Sequence, residues 1–535
     1  MRRIAVVVVL VVTASMWSAA GGMAHGATVA QATPAPSLQA DFNDDGADDL
    51  AVGVPGEDIG GPPFNSGAVN VLYGSAGGLA GTGSQLFSQA SPGVPGNPEE
   101  GESFGQAVAS GDFDNDGFAD LAVGVPGEGI GAAVAAGAVN VLYGSAGGLT
   151  GSGSQLFTQV GGAVEAGDGF GWALAVGDFD NDGFADLAAG APFEDVGRTI
   201  EAGAVSVLYG SSAGLSRAGG QLFTQVGSGP EGGDWFGWAV AAGDFNDNGF
   251  ADLAAGTPFE DVASLVDAGV ISVLYGSAGG LSTSGGQLFT QVGGAVEADD
   301  WFGWALTAGD FNGNGLADLA VGAPIESVGS TSQAGAVSVL YGSAGGLSTA
   351  GGQLFTQVAD APESFDQFGF ALAAGDFNDN GFADLAAGAH FEDVASAADA
   401  GAVSVLYGSA GGLSTAGGQL FTQVAGAIES RDEFGGTLAA GDFNGNGFAD
   451  LAVGAPSEDV AGTLHAGAVS ALYGSAGGLT RTGGQLFTQN SPGVPGNAED
   501  DDFFGDALVS GDPGPSPAST AASGSSSGAK RDGHP

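Results

Sequence analysis

The sequence predicts an all-β fold: a seven-bladed β-propeller of four-stranded antiparallel blades, closed by strands from both termini. Three observations predict it. A nonapeptide rich in Asp, Asn and Gly recurs seven times, beginning at Asp41, Asp112, Asp178, Asp244, Asp310, Asp376 and Asp442, first 71 and then 66 residues apart. A period this regular marks one supersecondary unit repeated around or along an array. Each unit also contains four short runs in which large and small residues alternate, which is the period of a strand. Finally, the chain ends on a surplus strand that an open array could not use.

The third unit shows the parts in order. Residues 170–176, Phe-Gly-Trp-Ala-Leu-Ala-Val, read as strand A, with Phe170, Trp172, Leu174 and Val176 on one face. The nonapeptide turns the chain into strand B, 185–191, which Pro192 stops. Strand C covers 204–209, and a Gly/Ser-rich turn leads to strand D over 221–226. Four antiparallel strands in one period make a blade. At the chain ends, Ser37-Leu-Gln-Ala-Asp41 enters the first nonapeptide with no Phe-Gly ahead of it. Phe504-Gly-Asp-Ala-Leu-Val-Ser-Gly-Asp512 repeats strand A and stops short of an eighth nonapeptide. The two ends therefore complete one blade together, with the C-terminal strand beside the N-terminal one. Which of them lies innermost is open at this point.

The nonapeptide has the composition of a loop that holds a hard cation. Short oxygen-bearing side chains fill positions 1, 3, 5 and 9, and position 6 is always glycine. Such a loop turns its odd-numbered oxygens inward, the glycine permits the sharp turn, and the carbonyl of residue 7 completes the shell. The predicted ligands in the first copy are Asp41, Asn43, Asp45, the carbonyl of Ala47, and Asp49. In the second and third they are Asp112, Asp114, Asp116, Phe118 and Asp120, and Asp178, Asp180, Asp182, Phe184 and Asp186. The fourth and fifth give Asp244, Asn246, Asn248, Phe250 and Asp252, then Asp310, Asn312, Asn314, Leu316 and Asp318. The last two give Asp376, Asn378, Asn380, Phe382 and Asp384, then Asp442, Asn444, Asn446, Phe448 and Asp450. Up to seven Ca2+ ions are expected. Affinity in such loops follows ligand charge, so the all-Asp copies at 112–120 and 178–186 should bind tightest and the four Asn-rich ones weakest. The competing reading is an Asp/Asn/Gly turn with no metal.

Composition sets the surroundings. With 43% hydrophobic residues and 33 Phe beside 104 Gly, the 535-residue chain has the material for many short strands and tight turns. Eight Lys+Arg against 61 Asp+Glu give a net charge of −53, and seven Ca2+ would still leave −39. Nucleic acid is therefore not an expected partner, whereas cations and basic surfaces are. Residues 1–32 read as a secretory signal: Arg2 and Arg3 precede the short apolar run 4–12, with cleavage after Gly26 or Ala32. The propeller is assigned to 33–512, and 513–535 form a Pro/Ser/Gly-rich tail expected to be disordered. No later segment has the length and apolarity of a membrane span. There is no cysteine, so an extracellular chain must be stabilised by something other than disulfides.

Read together, Phe-Gly, then Gly-Asp-Phe-Asn/Asp, then Gly-Ala-Pro recur in order, as at Phe302-Gly303, Gly309-Asp-Phe-Asn312 and Gly322-Ala-Pro324. This joint motif resembles the FG-GAP repeat of integrin alpha subunits, from about Leu38 to Asp512. The resemblance implies a seven-bladed propeller with Ca2+ in the A–B hairpins, and roles in adhesion or ligand binding. In integrins only some blades carry the metal loop, whereas all seven do here. The last element also varies, as Gly-Val-Pro at 53–55 and 124–126, Gly-Thr-Pro at 256–258 and Gly-Ala-His at 388–390. Nothing here resembles the integrin leg domains or membrane helix.

The B–C and D–A loops fall on the face opposite the hairpins, and each set carries a periodic glutamate. In the D–A loops these are Glu99, Glu165, Glu231, Glu297, Glu363, Glu429 and Glu499. In the B–C loops they are Glu57, Glu128, Glu194, Glu260, Glu326, Glu392 and Glu458. Trp172, Trp235, Trp238, Trp301 and Trp304 cluster at the same end of strand A. One reading is a binding surface for a basic protein, a cationic polymer or a sugar. The plainer one is solubilising loop glutamates and tryptophans that fill blade interfaces. No enzyme is expected: His25 and His534 lie in the terminal segments, and His390 and His465 are isolated departures from the repeat. A catalytic carboxylate pair should break the repeat symmetry, which these glutamates obey. The chain thus reads as a secreted binding or adhesion module for an unknown protein or glycan, with a lectin and a purely structural surface protein as alternatives.

Overall fold

Strand B is where the apolar run of each repeat becomes fully buried, and in the computed structural model the other three strands take their places from it. The structure describes residues 40–510 apart from 60–63, 228, 425 and 427. The predicted signal segment and the tail therefore lie outside the described residues. In the third blade, strand A is Leu174–Gly177, B is Asp186–Ala191, C is Ala204–Tyr209 and D is Ser216–Phe223. B and C are buried almost throughout, while D alternates into solvent. All seven sheets are four-stranded and antiparallel, in the order A-B-C-D. The A strands of successive blades touch one another around the ring, so the fold is a seven-bladed β-propeller.

Two strands depart from the sequence reading. Strand A starts at Leu174, because Phe170 leaves the sheet and makes a parallel bridge to Gly137 of the preceding blade. Strand D starts at Ser216, inside the run expected to be a turn. A register shift between Val207 and Tyr209 absorbs its extra residues, as a bulge does.

Ring closure resolves the open point at the termini. In the closing blade Ala507–Val509 takes the innermost A place, followed by Leu50–Val54, Ala68–Tyr73 and Ala80–Phe87. The register sets Ala51 opposite Val509 and Gly53 opposite Ala507. Every blade thereby has its four strands.

The core lies between blades. One cluster joins Phe113 and Val139 of blade 2 to Phe170 and Leu187 of blade 3, and another joins Phe443 and Val469 of blade 7 to Leu50 and Leu72 of blade 1. Phe113 and Phe170, from the Gly-Asp-Phe and Phe-Gly elements, are both fully buried. Each such burial contributes roughly 1.5–3 kcal/mol. The glycines allow the approach. Gly237 of one Phe-Gly element sits in the left-handed region at φ 87°, and a Cβ on Gly190 of the preceding blade would lie 2.1 Å from its carbonyl oxygen. Phe-Gly and Gly-Ala-Pro are thus two halves of one inter-blade joint.

Candidate metal centres and the opposite face

Each nonapeptide folds around the carboxylate at its first position. Asp112 accepts backbone N–H groups from Asp116 at 3.1 Å and Gly117 at 2.9 Å, and Asp178 repeats this with Asp182 and Gly183. The glycine at position 6 has φ 96° in the second copy, a value that favours glycine. The side chain at position 5 takes the amide of residue 7, as in Phe118 N to Asp116 Oδ1 at 3.0 Å. The aspartate at position 9 is wholly buried and ties the loop to its own sheet. Asp120 accepts from Phe113 N at 2.9 Å and from Gly144 N, after strand C, at 2.9 Å. Burial pushes its carboxyl up to about 8, the two N–H donors opposing the shift. Asp49, Asp186, Asp252, Asp318 and Asp384 are equally buried and accept the same pair of amides, and buried Asp450 accepts Gly474 N at 2.7 Å.

Position 3 separates the copies. Asp114 Oδ1 and Asp180 Oδ1 are buried with no hydrogen-bond partner, as is Asn43 Oδ1. In the Asn-rich copies the amide instead donates to the position-9 carboxylate: Asn246 to Asp252 at 2.9 Å, Asn378 to Asp384 at 2.7 Å and Asn444 to Asp450 at 2.8 Å. Asn312 does the same to both oxygens of Asp318. Asn248 and Asn314 turn their amides to the carbonyls of Gly276 and Gly342. Carboxylate oxygens converge within 4.8 Å of one another in two loops among the described residues, Asp112/Asp114/Asp116 and Asp178/Asp180/Asp186. An all-oxygen set with an orphaned buried carboxylate oxygen fits a hard divalent cation. The Asn-rich loops partly satisfy themselves.

The loops are also chained together. The carbonyl of each position-1 aspartate accepts the position-8 amide of the next loop: Ala185 N to Asp112 O at 3.1 Å, Ala251 N to Asp178 O at 3.0 Å, and, across the closure, Asp48 N to Asp442 O at 3.0 Å. Asp48 was missed by the sequence reading. It stands where the other six copies have alanine, and its carboxylate accepts the Asp442 amide at 2.7 Å.

On the opposite face the tryptophans do come together. Trp172, Trp238 and Trp304 occupy one repeat position on successive blades, with ring centroids 5.0 and 4.7 Å apart, and Phe370 continues the row at 5.5 Å. Trp235 and Trp301 stack on Trp238 and Trp304 at 5.4 and 5.3 Å. Phe193 and Phe259 pack edge-on between them. Sequence reasoning missed Phe370 and left His390 as an isolated departure from the repeat. The His390 ring lies 3.8 Å from both Phe370 and Phe391, and burial pushes its pKa down to about 3, leaving it neutral. The remaining three blades present Gly436, Asp506 and Gln106 at the equivalent position, and Gln106 Nε2 donates to Asp506 Oδ2 at 3.1 Å. The aromatic crescent thus flanks one side of a central channel of about 270 Å³, lined by Trp238 and by Val108, Leu174, Leu306, Leu372 and Leu508.

The glutamates require a correction. The B–C set is not a solvated surface: Glu260 and Glu392 are 4% exposed, and Glu128, the most open, only 9%. They are buried between blades.

The family model described as FG-GAP repeat matches residues 104–142, 170–208, 236–274, 302–340, 368–406 and 434–472. This is an FG-GAP repeat protein. Its seventh repeat, split between Phe504 and the first nonapeptide by ring closure, lies outside the six matched stretches. The chain is 36% identical over 180 residues to phosphatidylinositol-glycan-specific phospholipase D of Bos taurus, covering 32% of this chain and 20% of that protein. It is 30% identical over 252 residues to integrin alpha-V of Gallus gallus, covering 45% and 22%, and 29% identical over 280 residues to integrin alpha-8 of Homo sapiens, covering 50% and 24%. It therefore spans about a fifth to a quarter of the length of these relatives. Among solved structures, the exotype rhamnogalacturonan lyase YesX aligns over 88% of this chain and 83% of its own at 12% identity with a TM-score of 0.35. That likeness is too remote to carry an argument. The FG-GAP repeat protein resembles the integrin alpha propeller in its motif and in its seven-bladed ring.

Proposed function

We propose that this FG-GAP propeller is a secreted, calcium-loaded binding module whose ligand, a protein or a glycan, docks on the face opposite the metal hairpins. The crescent of half-buried rings at the channel mouth carries this reading, because it breaks the symmetry of an otherwise near-perfect repeat. Structural duplication would give seven equal positions, yet four consecutive blades hold Trp172, Trp238, Trp304 and Phe370 and the other three hold Gly436, Asp506 and Gln106. All the tryptophans among the described residues stand in this crescent. Trp235 and Trp301 lie at φ 58° and 55°, a conformation that the equivalent residue shares in all seven blades, from Ser103 to Phe503. Calcium, at up to seven hairpins, is supported by the orphaned oxygens of Asp114 and Asp180 and by the integrin alpha relatives. Export is supported by the N-terminal sequence and by the same relatives, and no described helix is long and apolar enough to cross a membrane. With a net charge of −53, a protein ligand would be basic.

A lectin is the second reading, favoured by the flat indole faces beside the polar pair Gln106–Asp506. Binding of the calcium-loaded protein to basic matrix proteins and to a glycan array, each repeated with Trp238→Ala, tests both. Loss of protein binding that sugars do not compete supports adhesion, and loss of glycan binding supports the lectin. Ligand binding unchanged by Trp238→Ala would remove the crescent from the function.

A further inference from the structure

Fourteen acids meet in pairs at the seven joints between blades, on the face away from the metal hairpins. At the joint between blades 2 and 3, Asp168 from the D–A loop and Glu194 from the B–C loop are 2% and 6% exposed, and their carboxyls are in hydrogen-bond contact. The same contact joins Glu102 to Glu128, Asp234 to Glu260, Asp300 to Glu326, Asp366 to Glu392 and Asp432 to Glu458. At the closing joint Asp502 faces Glu57. The outer oxygens are held by donors. The Glu165 amide donates to Asp168 Oδ2 at 2.7 Å, and at three joints a glutamine just beyond strand D donates to the glutamate, as Gln89 Nε2 does to Glu128 Oε2 at 2.6 Å. The inner oxygens are not: Glu194, Glu260, Glu326 and Glu458 Oε2, Glu102 Oε1 and Asp502 Oδ1 are buried without a partner.

Two carboxylates in contact in a buried site cannot both stay ionised without a positive charge between them. Among the described residues no cation stands between them, and Arg431, next to Asp432, is exposed. Further acids face the pairs, such as Glu165 and Asp195 beside Asp168 and Glu194, and Glu499 and Asp58 beside Glu57 and Asp502. Arg198, on the same loop as Glu194, points into solvent. Arg217 spends its donors on Thr158 Oγ1 and Gln159 O, Arg481 reaches Thr422, and His465 is paired with Asp501. Ca2+ takes six to eight oxygens, whereas each joint offers two carboxyls already in contact and one amide. A proton needs only the two facing oxygens.

We propose that each joint on this face is closed by one proton shared between its two buried carboxyls, which makes closure of the ring sensitive to alkali. Titration follows the geometry. Burial, reinforced by the facing acid, pushes Glu102, Glu326 and Glu458 up to about 8, and Glu194, Asp234, Glu392 and Asp502 up to about 7. Between the ordinary carboxyl range and that window the folded pair holds a proton that the unfolded chain has released. Stability is therefore fullest in acid, falls as pH rises through about 7 to 8, and levels off above.

The test is a set of thermal melts from pH 6 to 9 in saturating calcium, which keeps the hairpins occupied. They compare the natural chain with a sixfold variant carrying E128Q, E194Q, E260Q, E326Q, E392Q and E458Q, in which amides replace the protonated partners. The natural chain should lose at least about 5 °C across the range, and the variant should stay nearly flat. A flat natural chain, or an equal fall in the variant, overturns the proposal. If the variant does not fold, infrared titration of the natural chain decides. A buried protonated-carboxyl band at pH 7 that disappears by pH 9 supports the shared proton, and no such band at pH 7 overturns it. An ion count above seven that drops by one in Glu194→Gln would show a cation in place of the proton, and would also overturn it.

Discussion

The hydroxyl of Tyr473, in the last blade, accepts a hydrogen bond at 3.1 Å from the amide of Leu79, in the first. The same hydroxyl donates to Gln485 Oε1, whose Nε2 returns to Leu79 O at 3.0 Å. All seven tyrosines of the chain stand at this repeat position, and Tyr73, Tyr209 and Tyr341 make the equivalent bonds to Leu149, Leu281 and Leu413. The closing joint is therefore built like the others rather than improvised. Tyr473→Phe leaves the Leu79 amide and the Gln485 oxygen buried without partners, which costs about 1–3 kcal/mol. Tyr209→Phe should cost the same within error. Urea denaturation of the two variants checks this, and a much larger loss for Tyr473→Phe would mark the closure as a weak point.

The Phe-Gly and Gly-Ala-Pro elements make a steric prediction. A Cβ on Gly322 would lie 2.0 Å from the carbonyl oxygen of Gly369 in the next blade, a backbone atom with no free space to move into. Gly322→Ala should destabilise by about 3 kcal/mol through overpacking. Gly351 lies in an outer strand with open space around the equivalent point, but at φ 82°. Alanine there should cost only about 1 kcal/mol of backbone strain. Thermal melts that rank the two the other way would contradict the joint described above.

Calcium should separate the hairpins. In the second and third copies, Asp114 and Asp180 present orphaned carboxylate oxygens, while Asn246, Asn312, Asn378 and Asn444 satisfy position 9 internally. Calorimetry should resolve two tighter sites, and Asp114→Asn should weaken one of them about tenfold through the lost ligand charge. Melts in EDTA and in millimolar calcium should differ by well over 5 °C, since a ligand that binds only the folded state stabilises it by mass action. Seven identical sites would refute the ranking. No thermal shift would make the hairpins plain turns.

Much of this was legible in the chain. The 66-residue period, the A–B hairpin loops and the surplus strand at Phe504 follow from sequence, because repetition averages out local ambiguity. The rest depended on contacts between units. Alternation cannot say that Phe170 leaves strand A for the preceding blade, nor that Ala507–Val509 rather than Leu50–Val54 lies innermost. Glu194 and its equivalents look like solvated loop residues until a neighbouring loop covers them with a second acid. Phe370 escaped notice because its aromatic partners are Trp304 of the preceding blade and His390 at a position held elsewhere by proline.

Trp235 offers a sharper test of the crescent than truncation to alanine. It sits at φ 58°, and the equivalent residue in the preceding blade is Gly169 at φ 64°. Trp235→Gly therefore gives the backbone a residue suited to that conformation while removing a ring that stacks on Trp238 and packs against Phe193 and Phe259. Relief of strain, of order 1 kcal/mol, opposes the loss of half-buried aromatic packing. The variant should accordingly keep its melting temperature within a few degrees. If the rings were there to hold blades together, stability would fall by about 3 kcal/mol or more, as for a core aromatic, with ligand binding following only through misfolding. If the crescent is a binding surface, stability stays while affinity for the docked ligand drops at least tenfold. Melts and binding measured on the same calcium-loaded sample separate the two outcomes.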